Sequence, residues 1–456
     1  MNNLLKAMGF WVWGLIAIGL SVSMVSVSFK VLSLYRAHAS AVAPSANSIY
    51  SATAAAAPAS ASATGAKTPL VTSKVIASEM SSAQNAMQAG RWSEALTQLQ
   101  AARSKSPLTA ADEKTIYDWM GAVYFKQKNF PAAQSAYEAA VATGQYRAEE
   151  LVKIFRLLFH LAATDNQNAT AIGYGTQIAR SGSATQDDLL IMSQLYYQQK
   201  DCKNSGVWGD EAIAAFKMAG QPPKEVLYQL KLQCASDASD TGGMKAALYD
   251  LVRLTNKTSY WNNLIRLERQ DERVDHNTLM IYRVMFDTHS MNADTDYIEM
   301  AQLLGDAGLP GEAQAVMERA MNSGILKDEH KERSTRLLNA FQARADSDKK
   351  GLPALDAEAA QNPAGRLDLK LGEVYFGAGD YRKAVAALSR GIGKGQLSQP
   401  DEGYVALGRS LEAEEDLAGA KQAFARLKSL PNISPSVLKL WNLYSEMLPE
   451  TVSEPL

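Results

Sequence analysis

Only two of the 456 residues are cysteine and five are histidine. A disulfide-dense small scaffold and a zinc cluster with paired ligand spacing are therefore excluded. The histidines His38, His160, His276, His289 and His330 are scattered, and no HExxH pair sets two imidazoles one helical turn apart. No GxxxxGK[ST] or GxGxxG loop follows a strand pattern, and no GxSxG elbow occurs. Gly391-Ile392-Gly393-Lys394-Gly395 reads as a helix-end turn. Basic excess is missing too. Forty-six Lys and Arg against 48 Asp and Glu leave a net charge of −2, whereas a grip on nucleic-acid phosphates needs surplus positive charge. The sequence thus implies no nucleic-acid partner, no cofactor, no metal and no enzyme.

Acidic residues are absent before Glu79, and residues 1–70 carry only Lys6, Lys30, Arg36 and Lys67. Ala7 to Phe29 is uncharged and rich in Trp, Ile, Leu and Val. As a helix it would reach about 34 Å, enough for a hydrocarbon core of roughly 30 Å. A transmembrane anchor within residues 1–36 is the expectation, because a signal h-region is shorter and Lys30 and Arg36 precede Ala37-His38-Ala39 and Ala41-Val42-Ala43. A cleaved secretory signal is the alternative. Residues 37–70 are Ala-, Ser- and Pro-rich, with little to bury, and read as a disordered tether.

From about residue 71 to 434 a helical pattern recurs. In the run Leu371 to Ala384, Gly372 precedes Tyr375 by three, and Gly379-Asp380-Tyr381 ends one helix and starts the next. A small residue lets helices approach, an aromatic fills the adjoining space, and glycine takes the turn. The same order appears at Gly121, Tyr124, Phe130, Ala133, Tyr137 and Ala140. It appears again at Gly408, Leu411, Asp416, Ala420 and Phe424, and at Ala301, Leu304, Gly308, Ala313, Met317 and Ala320. These residues resemble the tetratricopeptide repeat, a helix–turn–helix of 34 residues. The resemblance implies an all-α, right-handed superhelical solenoid of ten such units, including degenerate ones over 224–257, 258–292 and 328–363. Residues 435–456 then supply a helix closing the exposed end, and a tail.

The resemblance also implies a protein-binding groove along the first helix of each unit. Its candidate residues are Phe125, Lys126, Gln194, Tyr197, Gln198, Arg366, Glu373, Phe376 and Arg409. Asp187 and Leu190 of the fourth unit, and Thr115, Asp118 and Ala122 of the second, complete those two linings. Mixed amides, aromatics and charges suit a peptide backbone with a few apolar anchors. Cys202 and Cys234 fall on neighbouring helices of that register, where a bridge between them and two buried free thiols are both compatible with the pattern. The functional expectation is a membrane-tethered, non-catalytic scaffold of the bacterial periplasm, anchored in the inner membrane. Its partners would be one or more proteins of the envelope, for which Tyr297 to Ala313 also resembles repeat proteins accompanying TonB-type transport. Soluble periplasmic protein after signal cleavage, chaperone-like handling of exported polypeptides and an enzyme with an unrecognised site are the alternatives.

Overall fold

Five of the helical hairpins share one kind of two-residue turn. The first residue takes a left-handed backbone, and the second is an Asp or Asn whose side chain caps the next helix. Gly379 (φ +77°), Lys128, Lys200, Ser239 and Glu415 occupy the left-handed place. Asp380, Asn129, Asp201, Asp240 and Asp416 follow them, each accepting from a backbone N–H three residues on. A cap of this kind is worth about 1 kcal/mol, comparable to what a left-handed non-glycine residue costs. This explains why lysine, serine and glutamate are tolerated where the sequence pattern leads one to look for glycine.

The computed structural model describes residues 73–270 and 272–450. Among these residues the secondary structure is helical, with 20 α-helices, one 3-10 turn and no strand. The proposed span Ala7 to Phe29, the linker 37–70 and the final tail lie outside the described residues. Among the described residues no helix is long and apolar enough to cross a membrane. The chain divides into two units, Met1–Pro223 and Lys224–Leu456.

The first unit is four hairpins: α1 (Ala77–Gln88) with α2 (Trp92–Arg103), α3 (Ala110–Lys126) with α4 (Phe130–Ala142), α5 (Ala148–Thr164) with α6 (Asn168–Arg180), and α7 (Gln186–Gln198) with α8 (Cys202–Met218). The helices α3, α5 and α7 begin 38 residues apart, so the period here is longer than 34. The extra residues lengthen the first helix and the link between hairpins. At two of these starts the chain closes a capping box, Thr109 with Asp112 and Thr185 with Asp188, and at the third the Glu150 carboxylate accepts from the Arg147 backbone N–H and guanidinium. Small and large side chains interlock in the core, where Ala133, Tyr137, Leu158 and Ile154 pack as one layer and Phe159, Ala171, Ile178 and Met192 as the next.

The second unit opens with α9 (Glu225–Asp237), α10 (Thr241–Thr255), α11 (Thr258–Arg269) and α12 (Asp275–Asp287). A hairpin follows, α13 (Asp294–Asp306) with α14 (Pro310–Asn322). Residues 328–363, expected as another helix–turn–helix, form instead a single helix, α15 (Asp328–Gln361), with Pro353 inside it. No left-handed residue interrupts this stretch. The carbonyl that Pro353 deprives of a donor belongs to Lys349, an exposed residue. Two more hairpins complete the unit, α16 (Arg366–Gly377) with α17 (Tyr381–Lys394) and α18 (Pro400–Ala413) with α19 (Leu417–Ala425), before α20 (Pro435–Met447). Because α15 does not fold back, α14 and α16 meet directly. A Cβ on Gly311 would lie 2.9 Å from the Gly377 backbone, so both helices need glycine at this crossing.

The last helix does more than cover the end of a stack. Pro435 sits in its first turn behind the Ser434 cap, as the sequence predicts. Trp441, fully buried, stacks on Phe424 of α19 with ring centroids 5.0 Å apart. Its indole N–H donates 3.2 Å to the Met280 carbonyl of α12. Ser436 donates to the Glu268 carboxylate of α11 at 3.0 Å, and Arg253 of α10 pairs with Glu446 at 2.9 Å. Thus α20 joins the end of the second unit to its beginning.

Candidate protein-binding surfaces

In the first unit, the first helices of successive hairpins carry Asp118, Arg156 and Gln194 one 38-residue period apart. Each of the two charged members reaches forward to the segment that starts the next hairpin. The buried Asp118 carboxylate accepts from Tyr146 and pairs with Lys114 at 3.2 Å. Burial pushes that carboxyl up, with the Lys114 charge opposing. Arg156 donates to the Ser183 carbonyl at 2.6 Å and pairs with the Asp188 carboxylate at 3.0 Å. Gln194, the third member, is buried. This column therefore ties hairpin to hairpin, and Asp118 and Gln194 are not presented to a partner. In the 38-residue period Gln194 is equivalent to Asp118, one helical turn from Ala122, its counterpart in the expected groove linings.

Four others of the expected groove residues of this unit, Phe125, Lys126, Tyr197 and Gln198, lie at the far ends of their helices. Phe125 is half-buried, edge-on to Phe130 with centroids 5.6 Å apart, and Lys126 beside it is exposed. Tyr197 is half-buried and Gln198 exposed at the end of α7. Both rings are partly accessible, each next to an exposed amine or amide.

The second unit treats its corresponding residues differently. Arg409 of α18 is buried and makes a two-pronged pair with Asp287 of α12, at 2.8 and 3.0 Å, while its third nitrogen meets Glu312 of α14. Arg283 of α12, also fully buried, is two-pronged to Glu312 at 2.8 and 3.2 Å and reaches Glu402 at 3.4 Å. Burial alone would raise the Glu312 carboxyl, but the two guanidinium charges outweigh it and hold it at about 2. Phe376 lies 4.7 Å beneath the Arg409 guanidinium and edge-on to Tyr381. Glu373 has a buried Oε1 with no hydrogen-bond partner. Its burial, then the Glu402 carboxylate, push it up to about 8 against Arg283 and Lys370. Arg409, expected to face a peptide, is taken up by the chain's own α12 and α14, while Glu373 and Phe376 beside it are half-buried. Only Arg366 among these four is exposed.

The sequence reading missed Arg156, Arg283, Glu312 and the α12–α18 pairing. The repeated Thr-x-x-Asp at Thr109 and Thr185, two periods apart, carried the signal for the first. Nothing local carried the others, since their partners lie about 30 to 120 residues away. Neither cysteine is a free thiol. Among the described residues no group of three or more His, Cys, Asp or Glu side chains could hold a metal ion.

The class defined by these elements is a helical-repeat protein built of helix–turn–helix pairs. No protein-family model and none of the curated proteins matches the chain. Similar solved structures are tetratricopeptide-repeat proteins or contain helical repeats. One is Naa15/Naa10 bound to HypK-THB, at 14% identity and a TM-score of 0.38, over 79% of this chain and 59% of that one. The chain thus spans only about three fifths of that relative. Another is the TPR2AB domain of yeast Sti1 in complex with an HSP90 peptide, at 13% and 0.30, over 59% and 98%. A tetratricopeptide repeat protein from Parabacteroides merdae is similar at 12% and 0.25, over 81% and 99%.

Proposed function

We propose that this protein is a non-catalytic binding scaffold whose partner-facing surface lies on the first unit, at the ends of α3 and α7. The observation that carries it is the contrast between the two units. Phe125 and Tyr197 keep accessible ring surface flanked by exposed Lys126 and Gln198, whereas Arg409 is buried in internal ion pairs and its guanidinium lies over Phe376. Half-buried aromatics anchor a partner at low entropic cost, and the amine and amide add directional hydrogen bonds to a peptide backbone.

The body is tethered to the inner membrane through Ala7 to Phe29 and works in the periplasm, with partners among envelope proteins, TonB-type transport components included. The uncharged 23-residue run supports the tether. Cysteines that are not free thiols support an oxidising compartment. The test is site-specific photocrosslinking of the full chain in envelope preparations. A photoreactive residue replacing Lys126 or Gln198 should capture a discrete protein, and Tyr197→Ala should reduce capture at least tenfold. Capture from neither position, or equal capture from exposed Lys349 on α15, would remove the reading.

A further inference from the structure

Helices α12 and α18 are separated by more than a hundred residues of chain, yet they are fastened along their length by charge. His276 Nε2 meets Asp401 Oδ2 at 2.8 Å, Arg283 meets Glu402 at 3.4 Å, and Arg409 meets Asp287 at 2.8 Å. The order of these three pairs runs the same way along both helices. Two members of this seam need a proton. His276 pairs with Asp401 as a cation only when protonated. Glu373 of α16 faces the same seam beside Glu402, its Oε1 buried without a partner, and as a carboxylate it would add a second uncompensated charge there.

We propose that the α12–α18 seam is a proton-dependent latch: with His276 and Glu373 both protonated the second unit stays closed, and losing those protons opens the seam. The groups facing Glu373 are Glu402 on α18, Arg283 on α12, Glu312 on α14 and Lys370 on its own helix. Those facing His276 are Asp401 and Glu402 on α18 and Arg283 on α12. The hydrogen bond to Asp401 raises the His276 pKa, with burial opposing. Its contribution is therefore complete at acid pH and fades as pH rises through its folded value. Glu373 keeps its proton up to about 8 when closed, against an ordinary value of 4.5. Between those values closing takes up a proton, so raising pH favours opening. Both groups act in the same direction.

The test is hydrogen exchange of the full chain, corrected for intrinsic rates, read on peptides from α12 and α18 at pH 6 and 8.5. Glu373 alone should raise the opening constant about seventyfold between these pH values, and His276 adds to it. Peptides from α3 to α6 serve as the unmoved control. In Glu373→Gln, which needs no proton, the rise should shrink to the smaller His276 contribution. Asp401→Asn should raise opening more at pH 6 than at pH 8.5, because the pair it removes is already weakened at the higher pH. Equal protection of the wild-type seam at both pH values overturns the latch. So does an undiminished rise in Glu373→Gln, or an Asp401→Asn effect of the same size at both.

Discussion

Replacing Trp441 by alanine separates a clasp from a simple end cap. The indole is fully buried, stacks on Phe424, sits edge-on to Tyr444 at 5.4 Å and donates to the Met280 carbonyl. Truncating a buried Trp costs about 3–5 kcal/mol. If α20 holds both ends of the second unit, that loss raises local opening of α12 as well as α19, by roughly 150- to 5,000-fold in the exchange opening constant. Hydrogen exchange followed by peptide mass analysis reads the two helices separately. Trp441→Phe keeps a ring against Phe424 but loses the N–H donor, so it should cost α12 less than alanine does, the hydrogen bond itself being worth about 0.5–1.5 kcal/mol. Loss of protection confined to α19 and α20, with α12 unchanged, would refute the clasp.

Arg409→Met leaves buried Glu312 without one of its two cations and half-buried Asp287 without its two-pronged partner, and should destabilise the second unit by about 3–5 kcal/mol in urea unfolding. Arg366→Ala, at an exposed position, should stay within about 0.5 kcal/mol of wild type. Equal effects of the two would contradict the burial described above. Alkylation of the denatured, non-reduced chain should leave its mass unchanged, and prior reduction should allow modification at both Cys202 and Cys234.

The helices and their hairpin turns were legible in the sequence because they rest on local chemistry. A left-handed turn residue followed by an Asp or Asn cap is read from neighbours, as at Gly379-Asp380, and so is a proline in a first turn behind serine at Ser434-Pro435. The period in the first unit was legible in principle from the capping boxes, since Thr109 and Thr185 repeat at fixed offset from Asp112 and Asp188. The degenerate stretch 328–363 misled because weak periodicity does not say whether a turn intervenes. The helix runs through Pro353 at a stretch where the residue losing its hydrogen-bond donor, Lys349, is exposed.

What each polar residue faces was a different matter. Phe125 and Arg409 look alike as groove positions, because the sequence places both on the first helix of a unit. Whether such a face meets solvent depends on what the rest of the chain brings against it. In the first unit, hairpins follow one another at a constant period and the ends of α3 and α7 stay accessible. In the second, α15 fails to fold back, Gly311 and Gly377 bring α14 and α16 into contact, and α20 returns to α12. That closure sets Arg409 against Asp287 and Glu402 against Arg283. The sequence by itself determined where the chain turns and caps, since those energies arise within a few residues. Only the tertiary structure decided which inner face was left open, because buried charge is settled by partners more than a hundred residues away.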